Sequence, residues 1–335
     1  MMTAYLWLMG AGSVLIFMLY GLRCAGAVRL PRLKKRAWVT ALLAFLFSAV
    51  FGTVLARCGY ALMTQELDFE YDGIAAFEVL LEFEIDYLSF FCGTVGVCLG
   101  VLLANRLTRK GSVWMGMDAF APFGALLVAL FRFGECFAES WGAGISLPDG
   151  SPLAFFPFAL KISSDGGYES WSWAICVLSG VFALAWAAIA FFRLRSTGRT
   201  GWSFTLTLFF LALPQVLCES MRSSGIYWLF VHAEQLLCAL VLAGVLLFWI
   251  LGSGKGLSFP RRWAPMGIYL LCIGALVVIE FAIDGSKIKV PGMTHAAWHL
   301  VMLGVVAVIG AAGVTAARRW NRQASPVPSS PISAA

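Results

Sequence analysis

Arg132, Glu135 and Glu139 stand in FRFGECFAESWG, residues 131–142, where an apolar run ends and a polar loop begins. At i, i+3 and i+7 they share one side of a helix. Gln215, Glu219 and Arg222 repeat the pattern at i, i+4 and i+7, at the end of another apolar run. Arg57 and Tyr60 lie one turn apart near the end of a third run, and His232, Glu234 and Gln235 begin a fourth. Arginine presents a planar fork of donors that matches a phosphate or a carboxylate. A carboxylate or imidazole held beside it can take a proton from a nucleophile. Together these residue types suit a substrate that carries an anion and reacts with a group that must lose a proton.

The elements that must hold these residues are helices in a membrane. Of 335 residues, 60% are hydrophobic and 13% charged, against roughly 45–50% and about 25% in a soluble domain. Apolar runs recur at about the 20 residues needed to cross ~30 Å of hydrocarbon. The expected fold is all-α, a polytopic integral membrane bundle of nine spans at 4–23, 37–63, 87–106, 114–136, 171–193, 202–221, 227–251, 265–284 and 297–317. Arg23 to Arg36, Arg106 to Lys110, Arg193 to Arg199, Lys255 to Arg262 and Arg318 to Arg322 follow the odd-numbered spans. Basic residues collect on the cytoplasmic side, so the N-terminus is expected outside and the C-terminus in the cytoplasm. No basic residue precedes the first span, so it reads as a retained span rather than a cleaved signal.

In that topology all the residues singled out above fall in the outer half of the membrane. A charge inside a span costs several kcal/mol unless it is paired or faces a cavity. Charges from four spans at one depth therefore imply one shared cavity. Between spans two and three, residues 66–86 hold eight acidic side chains, and 74–86 reads as an amphipathic helix lying in the outer interface. The Pro/Ser-rich tail has no apolar period and reads as disordered.

Other chemistries have weaker support. The nine cysteines stand singly, with no CxxC, as small hydrophobes do. His295 and His299 are at i and i+4, a chelating spacing, with Glu280 or Asp284 the nearest further ligand, but a histidine pair at an interface is more often an anchor. A cation path would use acidic residues at several depths, and the inner halves of the spans are almost wholly apolar, without an inverted repeat. No nucleotide-binding glycine loop, HExxH or Ser-His-Asp order occurs, so no metal or cofactor is expected. The basic residues line one rim as an orientation signal, not a nucleic-acid patch.

At these same residues the sequence resembles the prolipoprotein diacylglyceryl transferase family. LARCGYAL (55–62) is similar to the family's GAR-x-GY segment, and SFFCGTVGV (89–97) to its SFHGG-x-xGV segment. Asp118, Ala121–Pro122 and RFGECFAESWG (132–142) resemble its span-four signature, CESMR (218–222) its EFFR segment, and Gln235 and Gly244 a Gln and a Gly of span seven. The likeness covers roughly residues 1–250. Its departures are specific: the family's histidine falls on Phe91, an asparagine on Glu135, an arginine on Gln215, and HPSQLYE has only Tyr168–Glu169 as an echo.

The resemblance implies a core at 1–252, two added spans at 253–317 and a cytoplasmic tail at 318–335. It implies a multi-pass protein of the bacterial cytoplasmic membrane. It also implies a reaction, in which a lipobox cysteine thiol of a preprolipoprotein attacks the glycerol carbon of phosphatidylglycerol, or another anionic phospholipid, and glycerol-1-phosphate leaves. On that reading Arg132, Glu135, Glu139, Glu219 and Arg222 are catalytic. Arg57, Tyr60, Gln215, His232 and Gln235 bind substrate, and the proton acceptor that replaces the histidine lost at Phe91 is Glu139, Glu219 or His232. The alternative is a catalytically silent protein of the same fold that binds anionic phospholipid.

Overall fold

The computed structural model describes residues 2–26, 31–64, 88–108, 112–137, 142–163, 169–194, 199–223, 226–228, 231–253, 258–283 and 293–322. Among them, nine helices are long and apolar enough to cross a membrane. They are α1 (Met2–Gly26), α2 (Pro31–Met63), α3 (Phe90–Thr108), α4 (Val113–Gly134), α5 (Ile175–Phe192), α6 (Trp202–Ser220), α7 (Ala233–Gly252), α8 (Phe259–Ile283) and α9 (His295–Arg322). The chain is a multi-pass helical membrane bundle, as composition required. Glu139, the acidic stretch 66–86 with its expected interfacial helix, Tyr168, Asp284 and the tail from 323 onward lie outside the described residues.

Apolar packing divides the bundle into two clusters. One joins α1 to α4 around Phe17, Tyr20, Phe120 and Phe123. The other joins α6 to α9 around Phe209, Leu246, Trp249 and Met302. In a membrane the lipid tails are as apolar as the side chains, so close backbone approach replaces hydrophobic drive. The α2–α3 seam shows this. A Cβ at Gly96 would strike the Phe51 carbonyl, and one at Gly100 the Ser48 backbone nitrogen. The Ser48 hydroxyl donates to the Val97 carbonyl at 3.1 Å across the same seam.

Among the described residues, two small sheets interrupt the helical plan. Strands β1 (Ala143–Ser146), β2 (Ala159–Ser163) and β3 (Glu169–Ala174) form an antiparallel sheet in the order β1-β3-β2. Strands β4 (Tyr227–Trp228) and β5 (Val231–His232) form a short hairpin before α7. Both correct the expected spans. Residues 171–174 belong to β3, so the helix begins at Ile175 and not near 171. The span expected from 227 begins at Ala233. Hydropathy counts apolar residues without regard to period. In ESWSWA the half-buried Trp171 and Trp173 alternate with buried Ser172 and Ala174, a period of two that signals a strand.

Candidate functional site

α4 and α6 run side by side in the same direction, and the site forms where both end. Arg132 lies in the last turn of α4, where the exposed carbonyls favour a cation. The helix finishes in a 3-10 turn, Glu135–Phe137, with the Glu135 N–H still bonded to the Phe131 and Phe133 carbonyls. That turn aims the Glu135 side chain back along the helix toward Arg132. A Cβ at Gly134 would collide with Met9 and Tyr5, so the missing side chain lets α1 close over this end.

Arg222 is placed by the sheet. After α6 the chain runs along the free edge of β1. Ile145 N–H donates to the Met221 carbonyl at 3.0 Å, Ser223 N–H to the Ala143 carbonyl at 3.2 Å, and Gly144 pairs with Arg222. The backbone of Arg222 is thus a fourth strand in effect, fixed to a sheet that the sequence reading did not foresee.

Four side chains close a ring of charges. Arg132 Nη1 donates to Glu135 Oε1 at 2.6 Å, and Arg222 Nη1 to Glu135 Oε2 at 3.1 Å. Arg222 Nε donates to Glu219 Oε2 at 3.0 Å, and Arg132 Nη2 to Glu219 Oε1 at 3.1 Å. Every oxygen of both glutamates receives a guanidinium. No member of the ring has a side chain more than 7% exposed. Such burial is tolerated only because each charge is paired and hydrogen-bonded; removing one partner strands the others. The Gln215 amide oxygen, turned toward Arg132, accepts from its Nη2 and Nε at 2.5 and 2.8 Å. The Arg132 guanidinium also lies 3.8 Å over the Phe90 ring, a cation–π contact.

A third carboxylate stands at the mouth of the ring. Glu234, on the first turn of α7, accepts from the Ser89 hydroxyl at 3.0 Å and from the Phe91 N–H at 3.2 Å through Oε1. Its Oε2 is 3.8 Å from Arg132 Nη2, and its side chain is 19% exposed, against 6% and 3% for Glu135 and Glu219. The five groups hold two cations and three carboxylates, and Glu234 is the least tightly paired. It lies against the backbone of Phe91.

Burial tends to strip Arg222 of its proton, but the carboxylates of Glu219, Glu135 and Glu234 outweigh that and raise its pKa. It remains a cation. His232 is buried, its ring centroid lies 4.1 Å from that of Tyr227 with the planes tilted by 40°, and its Nδ1 has no hydrogen-bond partner among the described residues. Burial lowers its pKa, Glu219 pulls the other way, and Arg222 adds to the lowering. The imidazole is neutral at neutral pH.

The structure therefore brings together Arg132, Glu135, Gln215, Glu219 and Arg222. His232 lies beside them. Gln235 points elsewhere: its Nε2 donates to the Val216 carbonyl at 3.1 Å and to Glu280 at 2.6 Å, tying α7 to α6 and α8. Arg57 is buried, with its guanidinium 5.8 Å from the Tyr60 ring centroid. Its neighbour Ala56 accepts from Ser89 N–H at 3.0 Å, and Ser89 holds Glu234. Glu234, Ser89 and Phe90 are the additions. Glu234 was visible in the sequence beside His232, but nothing in the spacing linked it to Arg132.

No curated protein matches the chain significantly. The family model for prolipoprotein diacylglyceryl transferase matches residues 7–251, a stretch that contains every member of the buried charge ring together with Glu234, and the chain accordingly belongs to the prolipoprotein diacylglyceryl transferase family.

Proposed function

We propose that this chain transfers the diacylglyceryl group of phosphatidylglycerol, or of another anionic phospholipid, to the lipobox cysteine thiol of a preprolipoprotein at the outer leaflet of the bacterial cytoplasmic membrane. The observation that carries this reading is the convergence of Arg132 and Arg222, from separate elements, at one buried point. An approaching phosphate takes over guanidinium bonds now made to Glu135 and Glu219, and the leaving glycerol-1-phosphate is held by the same two cations. The thiol attacks the glycerol carbon, a carbon–sulfur bond forms, and the carbon–oxygen bond to phosphate breaks. The thiol proton passes to Glu234, the most exposed of the three carboxylates at the ring, because the thiolate is the nucleophile. The positive-inside pattern of basic residues supports an outer position for the ring, within reach of an exported peptide. Helices α8 and α9 lie beyond the family match, and Glu280 of α8 is bonded to Gln235 of α7.

One observation favours a second reading, in which the site binds anionic phospholipid without turnover. Glutamate at 135 and glutamine at 215, in place of the asparagine and arginine that the resemblance implies, leave the ring neutral, with both cations already paired to carboxylates. The deciding experiment expresses the chain in a bacterium depleted of its own transferase. Restored lipidation of a reporter lipoprotein supports the enzyme. Inserted, stable protein that restores none, yet binds phosphatidylglycerol vesicles through Arg132 and Arg222, supports the silent reading.

A further inference from the structure

Cys136 and Cys176 stand sulfur to sulfur. Cys136 sits in the 3-10 turn that ends α4, and Cys176 is the second residue of α5, 40 positions later. Their Sγ atoms are 3.0 Å apart, and both are free thiols in the structure. A disulfide places its sulfurs at about 2.05 Å, so closure asks for about 1 Å of side-chain rotation. The space for the pair is built in. A Cβ at Gly142 would come within 2.7 Å of the Cys176 sulfur and 3.0 Å of the Glu135 carbonyl, so position 142 is kept bare beside them. The chain between the two cysteines contains the whole three-stranded sheet.

We propose that Cys136 and Cys176 form a disulfide in the mature protein. The bond joins the turn that carries Glu135 to the start of α5, and it closes the loop whose sheet edge holds Arg222. Two thiols give up two protons and two electrons as the sulfur–sulfur bond forms. A dithiol–disulfide exchange partner, oxidised at the outset, receives both and leaves as a dithiol. The reaction belongs to the exterior side, where disulfides persist and where the charge pattern places this end of the bundle. It does not depend on lipid transfer.

The test freezes thiol exchange with acid in intact cells and dissolves them in detergent with N-ethylmaleimide. The full-length protein is then digested without reductant. The expected result is a linked peptide pair containing Cys136 and Cys176, with neither residue carrying maleimide. Two maleimide-labelled residues in most of the protein overturn the proposal. In Cys136→Ser, Cys176 is expected to become fully labelled. Continued protection of Cys176 in that variant means another partner and also overturns the pairing.

Discussion

α4 and α6 are tied to each other at both ends, and the two ties are built from different chemistry. At their starts, Asp118 of α4 accepts from the Gly201 N–H at 2.6 Å and the Phe204 N–H at 2.9 Å. One carboxylate there satisfies backbone donors that the first turn of α6 leaves orphaned. At their ends, Arg132 meets Glu219 and Arg222 meets Glu135, with side chains as the partners on both sides. Backbone N–H groups cannot turn away without unwinding a helix. Guanidinium groups can, and can exchange a carboxylate for a phosphate at little change in charge. The first tie is a fixed cap; the second, on the proposed function, supplies the cations that meet the substrate phosphate.

The contrast breaks most sharply at Arg132. Arg132→Met is expected to abolish lipidation, a loss beyond about 10³-fold, because a fixed cation at the leaving phosphate disappears. It should also destabilise by roughly 3–5 kcal/mol, since Glu135 and Glu219 lose a buried partner. Denaturant unfolding in detergent, beside the lipidation assay, reads both. Wild-type activity in this variant would mean that the ring is scaffold alone.

Glu234→Gln sharpens the assignment of the proton acceptor. The amide keeps an oxygen for Ser89 and Phe91 but cannot take a proton. Single-turnover transfer is expected to fall about 10²–10⁴-fold, with phospholipid binding and unfolding nearly unchanged. A transfer rate within threefold of wild type removes Glu234 from the chemistry.

At the opposite tie, Asp118→Ala should cost about 1–3 kcal/mol by leaving helix N–H groups unsatisfied. Activity per folded molecule should hold. If activity falls while stability does not, the cap and the site are not separate devices.

The smallest effect concerns His232. Its folded pKa lies below its unfolded one, so the unfolded chain binds the proton first as pH falls. Stability is therefore whole above about pH 6.5 and declines as pH drops from there toward the lowered folded value. His232→Phe should flatten the decline across that window in unfolding curves, and an unchanged slope assigns it to other groups.

Much of this was legible beforehand. ESWSWA and the start of α7 misled only because hydropathy averages over a short strand, whose alternation a long window erases. Arg132, Glu135, Glu219 and Arg222 were each identifiable because an ionisable residue near the end of a 20-residue apolar run demands a partner. Gln235 was grouped with them by adjacency alone, and its side chain turned instead to Glu280. Glu234, one residue away, faces the ring because a helix turns 100° per residue, and the facing of α7 is set by packing that sequence spacing does not encode.

By itself the sequence determined that the chain crosses a membrane many times and that several polar groups lie at one depth, since length, hydropathy and charge are local properties. Only the tertiary structure decided which of those groups meet. Arg132 and Glu219 are 87 residues apart in the chain, as are Arg222 and Glu135, and the Glu234 contact with Ser89 spans 145. Contacts at that range depend on helix rotation, on the glycines that set how closely helices approach, and on the sheet edge that pins Arg222.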